Sequence, residues 1–266
     1  MVRKTLKKRL FIASLAAVAV IGMTAAFLTS SDEKDNTFKI AEVDLSISES
    51  FEKDKTLAAG QIIQKQPSVI NTGSVEQLFF VEVSVPRMET TLVAENGQRI
   101  APTGKTGELP AADYIQSAEI FDLLAASEQH QSVTHDPADN GYADIQYNTP
   151  TGDAGGWIYL KQTEDKKNYK DVEGYVDGTY DTYLFGYSVW LPPKGQTAAV
   201  FDKLKLRSMV DGDITGKSVG QVTVRAYTVQ KDDLNVPGVT HNGTADSQYD
   251  KTELTALYKI IENKKG

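Results

Sequence analysis

The 266-residue sequence predicts a mainly β protein, an antiparallel β-sandwich that carries an inserted helix and a C-terminal helix. Along several stretches every second residue is apolar, which is the period of a strand whose successive side chains point to opposite faces of a sheet. Turn-forming residues such as Gly, Asn and Pro separate these stretches, and short turns favour antiparallel neighbours. Two further stretches show the spacing of an amphipathic helix instead.

The strand pattern is clearest in the first third of the chain. From Thr37 to Ser48 apolar residues alternate with polar ones, and in the stretch Gln77–Val85 the odd positions from 79 to 85 are all Phe or Val. We expect Pro86 to end this strand, because proline has no N–H to donate to a neighbouring strand. Four more strands are expected at Trp157–Lys161, Tyr180–Trp190, Ala198–Val210 and Ser218–Gln230.

Three stretches depart from the strand period. Residues 111–128 predict the inserted helix, because their apolar residues fall on one helical stripe. Asp250 to Glu253 resembles a capping box ahead of a second apolar stripe and predicts the C-terminal helix. Residues 129–156 are rich in Asp, Asn, Gly, Thr and Pro, which predicts a long surface loop. The stripe of the inserted helix comprises Tyr114, Ala118, Phe121 and Ala125.

The N-terminus predicts export. Five basic residues between Arg3 and Arg9 precede an uncharged run from Leu10 to Leu28, an order typical of a secretory signal peptide. The strongly apolar part of this run is shorter than the roughly 20 residues that cross a bilayer, and small residues follow it, so we expect cleavage after Ala25 or Ala26. The alternative is an uncleaved anchor, because the whole uncharged run has 19 residues, close to the lower limit for a spanning helix.

The composition beyond residue 25 argues against nucleic acid as a partner. Without the basic residues of the signal, 23 basic residues stand against 36 acidic ones, a net charge of −13. Binding to nucleic acid needs a clustered basic surface, which this balance does not provide. The chain has no cysteine, whereas exported eukaryotic domains commonly rely on disulfides. The sequence therefore favours a bacterial protein that is secreted or associated with the cell surface.

The residue types that carry chemistry form no recognisable catalytic motif. His130, His135 and His241 do not match the His-Glu-x-x-His pattern of a zinc peptidase. We therefore predict no catalytic residue and no cofactor. Asp211 and Asp213 are the candidates for a metal, a calcium ion held by carboxylate oxygens, although the spacing of an EF-hand is absent.

The expected strand from Tyr180 to Trp190 is rich in aromatic residues. Tyr183, Phe185 and Tyr187 share one face of it. Such a face most often forms core, whereas an exposed aromatic ladder would bind a polysaccharide or a partner. Both interpretations stay open at the level of sequence.

Five blocks of the sequence carry a family resemblance. They are the signal junction Met23–Phe38, the strand Val43–Glu49, the block Gln64–Gly73, the strand Phe79–Pro86 and the closing strand Val222–Gln230. These blocks resemble the TasA and camelysin family of Gram-positive exported proteins, which carry a SipW-type signal peptide. The resemblance covers about residues 20–86 and 180–230, and the stretch of about 100–175 has no counterpart.

The resemblance implies a jelly-roll-like sandwich that is secreted into a biofilm matrix and assembles into fibres. In TasA-like fibres the segment freed by signal cleavage inserts as a strand into the sheet of the next subunit, which is donor-strand complementation. The matching donor here covers residues 26–36, with Ala26, Phe27 and Leu28 as its apolar part. The implied partners are the signal peptidase, further copies of this chain and other matrix components.

The expected organisation follows from these observations. It comprises a signal peptide (1–25), a donor segment (26–36), a sandwich (37–245) with an insert at about 100–175, and a C-terminal helix or tail (246–266). The expected function is that of a non-enzymatic fibre subunit. The alternatives are a secreted, metal-dependent, camelysin-like peptidase and a cell-surface adhesin or carbohydrate-binding module that uses the aromatic strand.

Overall fold

The computed structural model describes residues 45–48, 58–165, 179–210, 221–230, 239 and 248–265. They form two short 3-10 helices, Ala111–Tyr114 and Gly152–Ala154, and one α-helix, α1, Lys251–Lys265. The strands are β1 (Leu45–Ser48), β2 (Ile62–Gln64), β3 (Ser68–Asn71), β4 (Gln77–Thr90), β5 (Gln116–Glu119), β6 (Phe121–Leu124), β7 (His130–Ser132), β8 (Gln146–Asn148), β9 (Trp157–Asp165), β10 (Thr179–Tyr187), β11 (Lys203–Leu206) and β12 (Thr223–Gln230).

The main sheet is antiparallel and is built around the long strand β4. Its order in the described residues is β12, β4, β10, β9, and β5 pairs with the far end of β4. The odd positions of β4 and β10 point into the core and are mostly Val, Phe or Tyr, as the period-two pattern predicts. The mainly β, antiparallel prediction is therefore confirmed.

A second layer of strands faces the main sheet. It contains β2, β11 and β6 in that order, and the pairs β1–β3 and β7–β8 form two further small sheets. A single bridge between Leu123 and Ile145 links β6 to the chain just before β8. The core between the layers includes Phe79, Val81 and Phe185 from the main sheet and Phe121, Leu123 and Leu204 from the second layer.

Strand β4 does not end at Pro86, contrary to the sequence prediction. It continues to Thr90 and keeps its pairing with β10 on one side. The carbonyl of Pro86 points to the other side, where it accepts the Ile120 N–H at 3.1 Å. On that side β12 has already ended opposite Ser84, and β5 begins opposite Arg87. Pro86 therefore lies between the ends of β12 and β5, where neither strand requires an N–H donor from it.

Helix α1 covers the outer face of the main sheet and confirms the predicted C-terminal helix. The Asp250 carboxylate accepts the Glu253 N–H at 2.9 Å, and the Glu253 carboxylate accepts the Asp250 N–H at 3.1 Å, which is the predicted capping box. Of the described residues, no helix has both the length and the apolar character needed to cross a bilayer. The apolar side of α1 comprises Leu254, Leu257, Tyr258 and Ile261, which pack on Leu78, Phe80 and Leu184 of the sheet.

The predicted inserted helix over residues 111–128 is wrong. Only one turn of 3-10 helix forms, and the chain then enters β5 in the main sheet and β6 in the second layer. The chain passes from one sheet to the other at Ile120 and Phe121, and both side chains are buried in the shared core. Because these two adjacent residues are both apolar, the period-two pattern is out of phase on their two sides. Ala118 and Phe121 are therefore three residues apart, which is the spacing of an apolar stripe on a helix.

The predicted surface loop over residues 129–156 is only partly correct. It contains β7 and β8, which pair with each other. Several of its apolar side chains are buried in the core between the layers. Within the stretch of about 100–175, β5, β6 and β9 also belong to the sheets, so its described part is integral to the fold. The buried members of the loop are Val133, Ala143, Ile145 and Tyr147.

Candidate functional site

The residues predicted for cleavage, strand donation and calcium binding lie outside the described residues. This holds for Ala25 and for the apolar donor positions Ala26, Phe27 and Leu28. It also holds for both calcium candidates and for His241, so their predicted roles stay predictions. The calcium candidates are Asp211 and Asp213.

The two described histidines do not meet. His130 is exposed, with its Nδ1 atom 2.7 Å from the Ser127 carbonyl. His135 is half-buried and stacks on Tyr142 with 4.3 Å between ring centroids. In the part of the chain that the structure describes, no group of three or more His, Cys, Asp or Glu side chains is placed to hold a metal ion.

The aromatic face of β10 forms core. Tyr183 and Phe185 are fully buried, and Tyr187 is 2% exposed. The Tyr187 hydroxyl donates to the Ala154 carbonyl at 3.1 Å and accepts the Ala198 N–H at 3.3 Å. The strand therefore presents no exposed aromatic ladder, which removes the basis for a glycan-binding surface on this face.

Strand β9 forms one end of the main sheet. Among the described strands it pairs only with β10, whereas β12, at the other end of the sheet, contacts β1. Ile158 and Tyr159 of β9 are half-buried and pack against the two cores on opposite faces of the sheet. A strand added beside β9 would gain main-chain hydrogen bonds and cover the exposed parts of both side chains.

An open cleft of about 490 Å³ lies beside β8 and the end of β10. The only charged side chain in its lining is Asp202, whose oxygens are already held within the fold. They accept hydrogen bonds from Gln66 Nε2 at 2.9 Å, the Ala126 N–H at 2.7 Å and Asn148 Nδ2 at 3.0 Å. Burial acts to raise the pKa of Asp202, but these bonds outweigh it, and the pKa lies below its ordinary value. The carboxylate therefore ties segments together.

A buried polar cluster lies between β4, β5 and β10. The Arg87 guanidinium forms an ion pair with the Asp181 carboxylate, which is 1% exposed. Arg87 also donates to the Ser117 carbonyl at 3.0 Å, and its guanidinium lies 5.1 Å from the centre of the Tyr142 ring. Asp181 thus has a bound cation in the interior of the protein.

Glu119 is the second acid of this cluster and is fully buried. It accepts the Tyr183 hydroxyl at 2.6 Å and the Ala143 N–H at 2.6 Å. Burial raises the pKa of Glu119 to about 8, and the neighbouring Asp181 acts in the same direction against the two hydrogen bonds. Among the described residues the hydrogen bonds to Glu119 come from neutral donors, and burial favours the neutral form of its carboxyl.

Residues 133–143 cross over this cluster, and we call them the strap. The Arg207 guanidinium binds its backbone by donating to the Asn140 carbonyl at 3.1 Å and to the Gly141 carbonyl at 3.4 Å. The Glu119 N–H also donates to the Gly141 carbonyl at 2.8 Å. His135 Nε2 lies 3.5 Å from the Tyr183 hydroxyl. The strap is thus attached to the sheet through polar groups on both sides of Glu119.

The polar cluster was not predicted, although the sequence holds a signal for it. Asp181 has the same parity as the aromatic residues of β10, and Arg87 continues the odd-numbered apolar positions of β4. A charged residue at an inward position of a strand needs a partner, because an unpaired buried charge is strongly unfavourable. Two such residues of opposite charge on different strands predict a buried ion pair.

Comparisons with protein-family models, with curated proteins and with solved structures found no match to this chain.

Proposed function

We propose that this chain is a secreted structural subunit that assembles into biofilm-matrix fibres by donating residues 26–36 as a strand to another copy. The observation that carries the proposal is strand β9, which has a strand neighbour on one side only among the described residues. A sheet end of this kind accepts a further strand through its main-chain groups. In the proposed subunit the two facing layers form a jelly-roll-like sandwich.

The donor segment and β9 share a pattern that supports this pairing. The donor begins with the apolar residues Ala26 to Leu28 and continues with polar residues to Asn36. Strand β9 begins with the apolar residues Trp157 to Leu160 and continues with Lys161 to Asp165. A parallel arrangement brings the two apolar halves together.

The N-terminal signal supplies the release step of this proposal. Cleavage after Ala25 or Ala26 gives a new terminus at the start of the donor segment. Because the donor of one copy fills the sheet of the next, the contact is head-to-tail and does not close on itself. Repeated addition of this kind gives a filament.

The first test compares filaments formed by four forms of the mature protein in electron microscopy. We expect the wild type to form filaments, and we expect both Phe27→Asp and a deletion of residues 26–36 to remain monomeric. Asp35→Asn is the matched control, because it changes a charge in the polar half and keeps the apolar anchor. Filaments of unchanged number and length after the deletion would contradict the proposal.

The second test identifies the accepting edge. A synthetic peptide of residues 26–36 should cap growing filaments of the wild type, whereas a scrambled peptide of the same composition should not. Ile158→Lys should abolish peptide binding, because it places a charge where the added strand packs. Thr163→Lys, an exposed position of the same strand, is the control. Equal peptide binding by both variants would exclude β9 as the accepting edge.

A further inference from the structure

We propose that residues 133–143 form a proton-linked strap, which the neutral Glu119 carboxyl holds closed over β5 and β10 and the ionised carboxylate loosens. This inference is independent of the proposed function, because it rests only on the interior of one copy. It assigns a conformational role to a cluster that the fibre proposal does not use.

The geometry places the carboxyl of Glu119 at the centre of the attachment. One of its oxygens binds the strap through the Ala143 N–H, and the other binds β10 through the Tyr183 hydroxyl. Tyr183 in turn lies within 3.5 Å of His135 of the strap. A change in the charge of Glu119 therefore affects the strap in two ways. It acts on the Ala143 N–H directly and on the His135 imidazole through the Tyr183 hydroxyl.

Among the described residues, no cation forms an ion pair with Glu119. Arg87 of β4 is engaged by Asp181. Arg207, which follows β11, lies 3.8 Å from Asp122 and otherwise donates to backbone carbonyls. The charged and titratable groups that act on Glu119 or on its neighbours Arg87, Arg207 and His135 are Asp181, Tyr183, Asp122, Asp139, Tyr142 and Asp144.

Loss of the Glu119 proton would place a second negative charge beside Asp181 in the interior. Two neighbouring buried carboxylates repel each other, and the repulsion falls when one of them reaches water. Opening of the strap would give Glu119 access to water, because the Ala143 N–H at the end of the strap contacts the buried carboxyl directly. Opening of the strap relieves the repulsion without unfolding the sheets.

The sign of the pH dependence follows from the raised pKa of Glu119, which is about 8 in the closed structure. The contribution of neutral Glu119 to the stability of the closed strap is complete below the ordinary pKa of a glutamate. It decreases as the pH rises towards about 8, the pKa of Glu119 in the closed structure. In this window the opening constant rises by up to about tenfold for each pH unit. Burial lowers the pKa of His135, so this residue favours the closed form as pH rises and acts in the opposite direction.

Hydrogen exchange of the mature wild-type protein, followed by mass spectrometry of peptides, tests the proposal. After correction for the intrinsic exchange rate, protection of residues 133–143 should fall at least about tenfold between about pH 5 and about pH 8. In Glu119→Gln this fall should be absent, and only the opposite response of His135, a rise in protection with pH, should remain. Glu128→Gln, an exposed glutamate, is the matched control and should behave as the wild type.

Two further variants keep the test decisive if Glu119→Gln folds poorly. His135→Phe keeps a ring on Tyr142 but cannot titrate, so its strap should respond more steeply to pH than that of the wild type. Tyr183→Phe removes one donor to Glu119, so the pKa of Glu119 should rise and the loss of protection should extend to higher pH. An unchanged profile in Tyr183→Phe, or a fall in protection with rising pH retained in Glu119→Gln, would overturn the proposal. Equal protection of the strap and of α1 at every pH would also overturn it, because the strap would then open only with the whole fold.

Discussion

Two glycines with similar φ angles differ in whether the surrounding structure has space for a side chain. Gly97 and Gly155 both have positive φ values, +82° and +75°. A Cβ atom at Gly97 would have no heavy atom within 4 Å, whereas one at Gly155 would lie 2.5 Å from Val189 Cγ2 and 3.2 Å from Tyr187 Cε1. A side chain at Gly97 would therefore cause backbone strain alone, whereas a side chain at Gly155 would cause backbone strain and steric overlap.

We expect Gly97→Ala to lower the free energy of unfolding by about 1 kcal/mol, the penalty of a left-handed residue with a side chain. Gly155→Ala should lower it by a further 1 to 3 kcal/mol or so, because the new methyl group overpacks the contact with Val189. Urea unfolding at constant pH measures both values. Equal losses in the two variants would show that Val189 moves aside without penalty.

At the scale of residues, the sequence predicts which side chains are buried better than it predicts their partners. The odd positions of β4 and β10 gave the core correctly, including Phe185 and Val83. The cluster of Arg87, Glu119 and Asp181 was missed because its members are distant in the chain. Their contact depends on the pairing of Arg87 with Glu119 across β4 and β5, and that pairing is set by the whole sheet.

At the scale of elements, the two helix predictions had different outcomes for a local reason. Helix α1 is specified by its own residues, because Asp250 and Glu253 satisfy each other's backbone N–H groups. Residues 111–128 lack such a cap, and the first 3-10 turn follows Pro110 without a side-chain cap. The pairing of β5 with β4 and of β6 with β11 then decides their conformation. A local apolar pattern contains no information about pairing with strands that are so distant in the sequence.

The capping box gives a prediction about α1. Asp250→Ala should lower the free energy of unfolding by about 1 kcal/mol, because the Glu253 N–H loses its acceptor, and Asp250→Ser should restore most of the loss. Asp113→Ala, at an exposed acid in the first turn of a 3-10 helix, should change the value by less than about 0.5 kcal/mol. Thermal unfolding monitored by circular dichroism measures all three. A loss in Asp113→Ala as large as that in Asp250→Ala would contradict the role of the cap.

At the scale of the whole molecule, charge sets the conditions for the proposed assembly. The chain beyond residue 25 carries a net charge of −13, so copies repel one another in dilute salt. Salt shortens the range of this repulsion to about 10 Å at about 0.1 M. The proposed strand donation needs two copies in contact, and we therefore expect it to depend on ionic strength.

Filament growth by the mature protein should be faster at about 150 mM than at about 10 mM sodium chloride, because screening reduces the repulsion between like-charged copies. Light scattering gives the growth rate, and electron microscopy confirms that the scattering particles are filaments. The Phe27→Asp variant serves as the control, because it should not scatter at either concentration. Slower growth of the wild type at the higher concentration would show that attraction between charged groups, rather than repulsion, governs the encounter.

The position of α1 on the outer face of the main sheet also limits how copies can meet. In the part of the chain that the structure describes, one face of this sheet packs on the second layer and the other on the helix, so neither face is bare. The stacking of bare sheets that builds amyloid needs such a face. In the proposed fibre, copies would therefore join at the edges of their sheets, so a single fibre would be one molecule wide and would not grow by layering sheet on sheet.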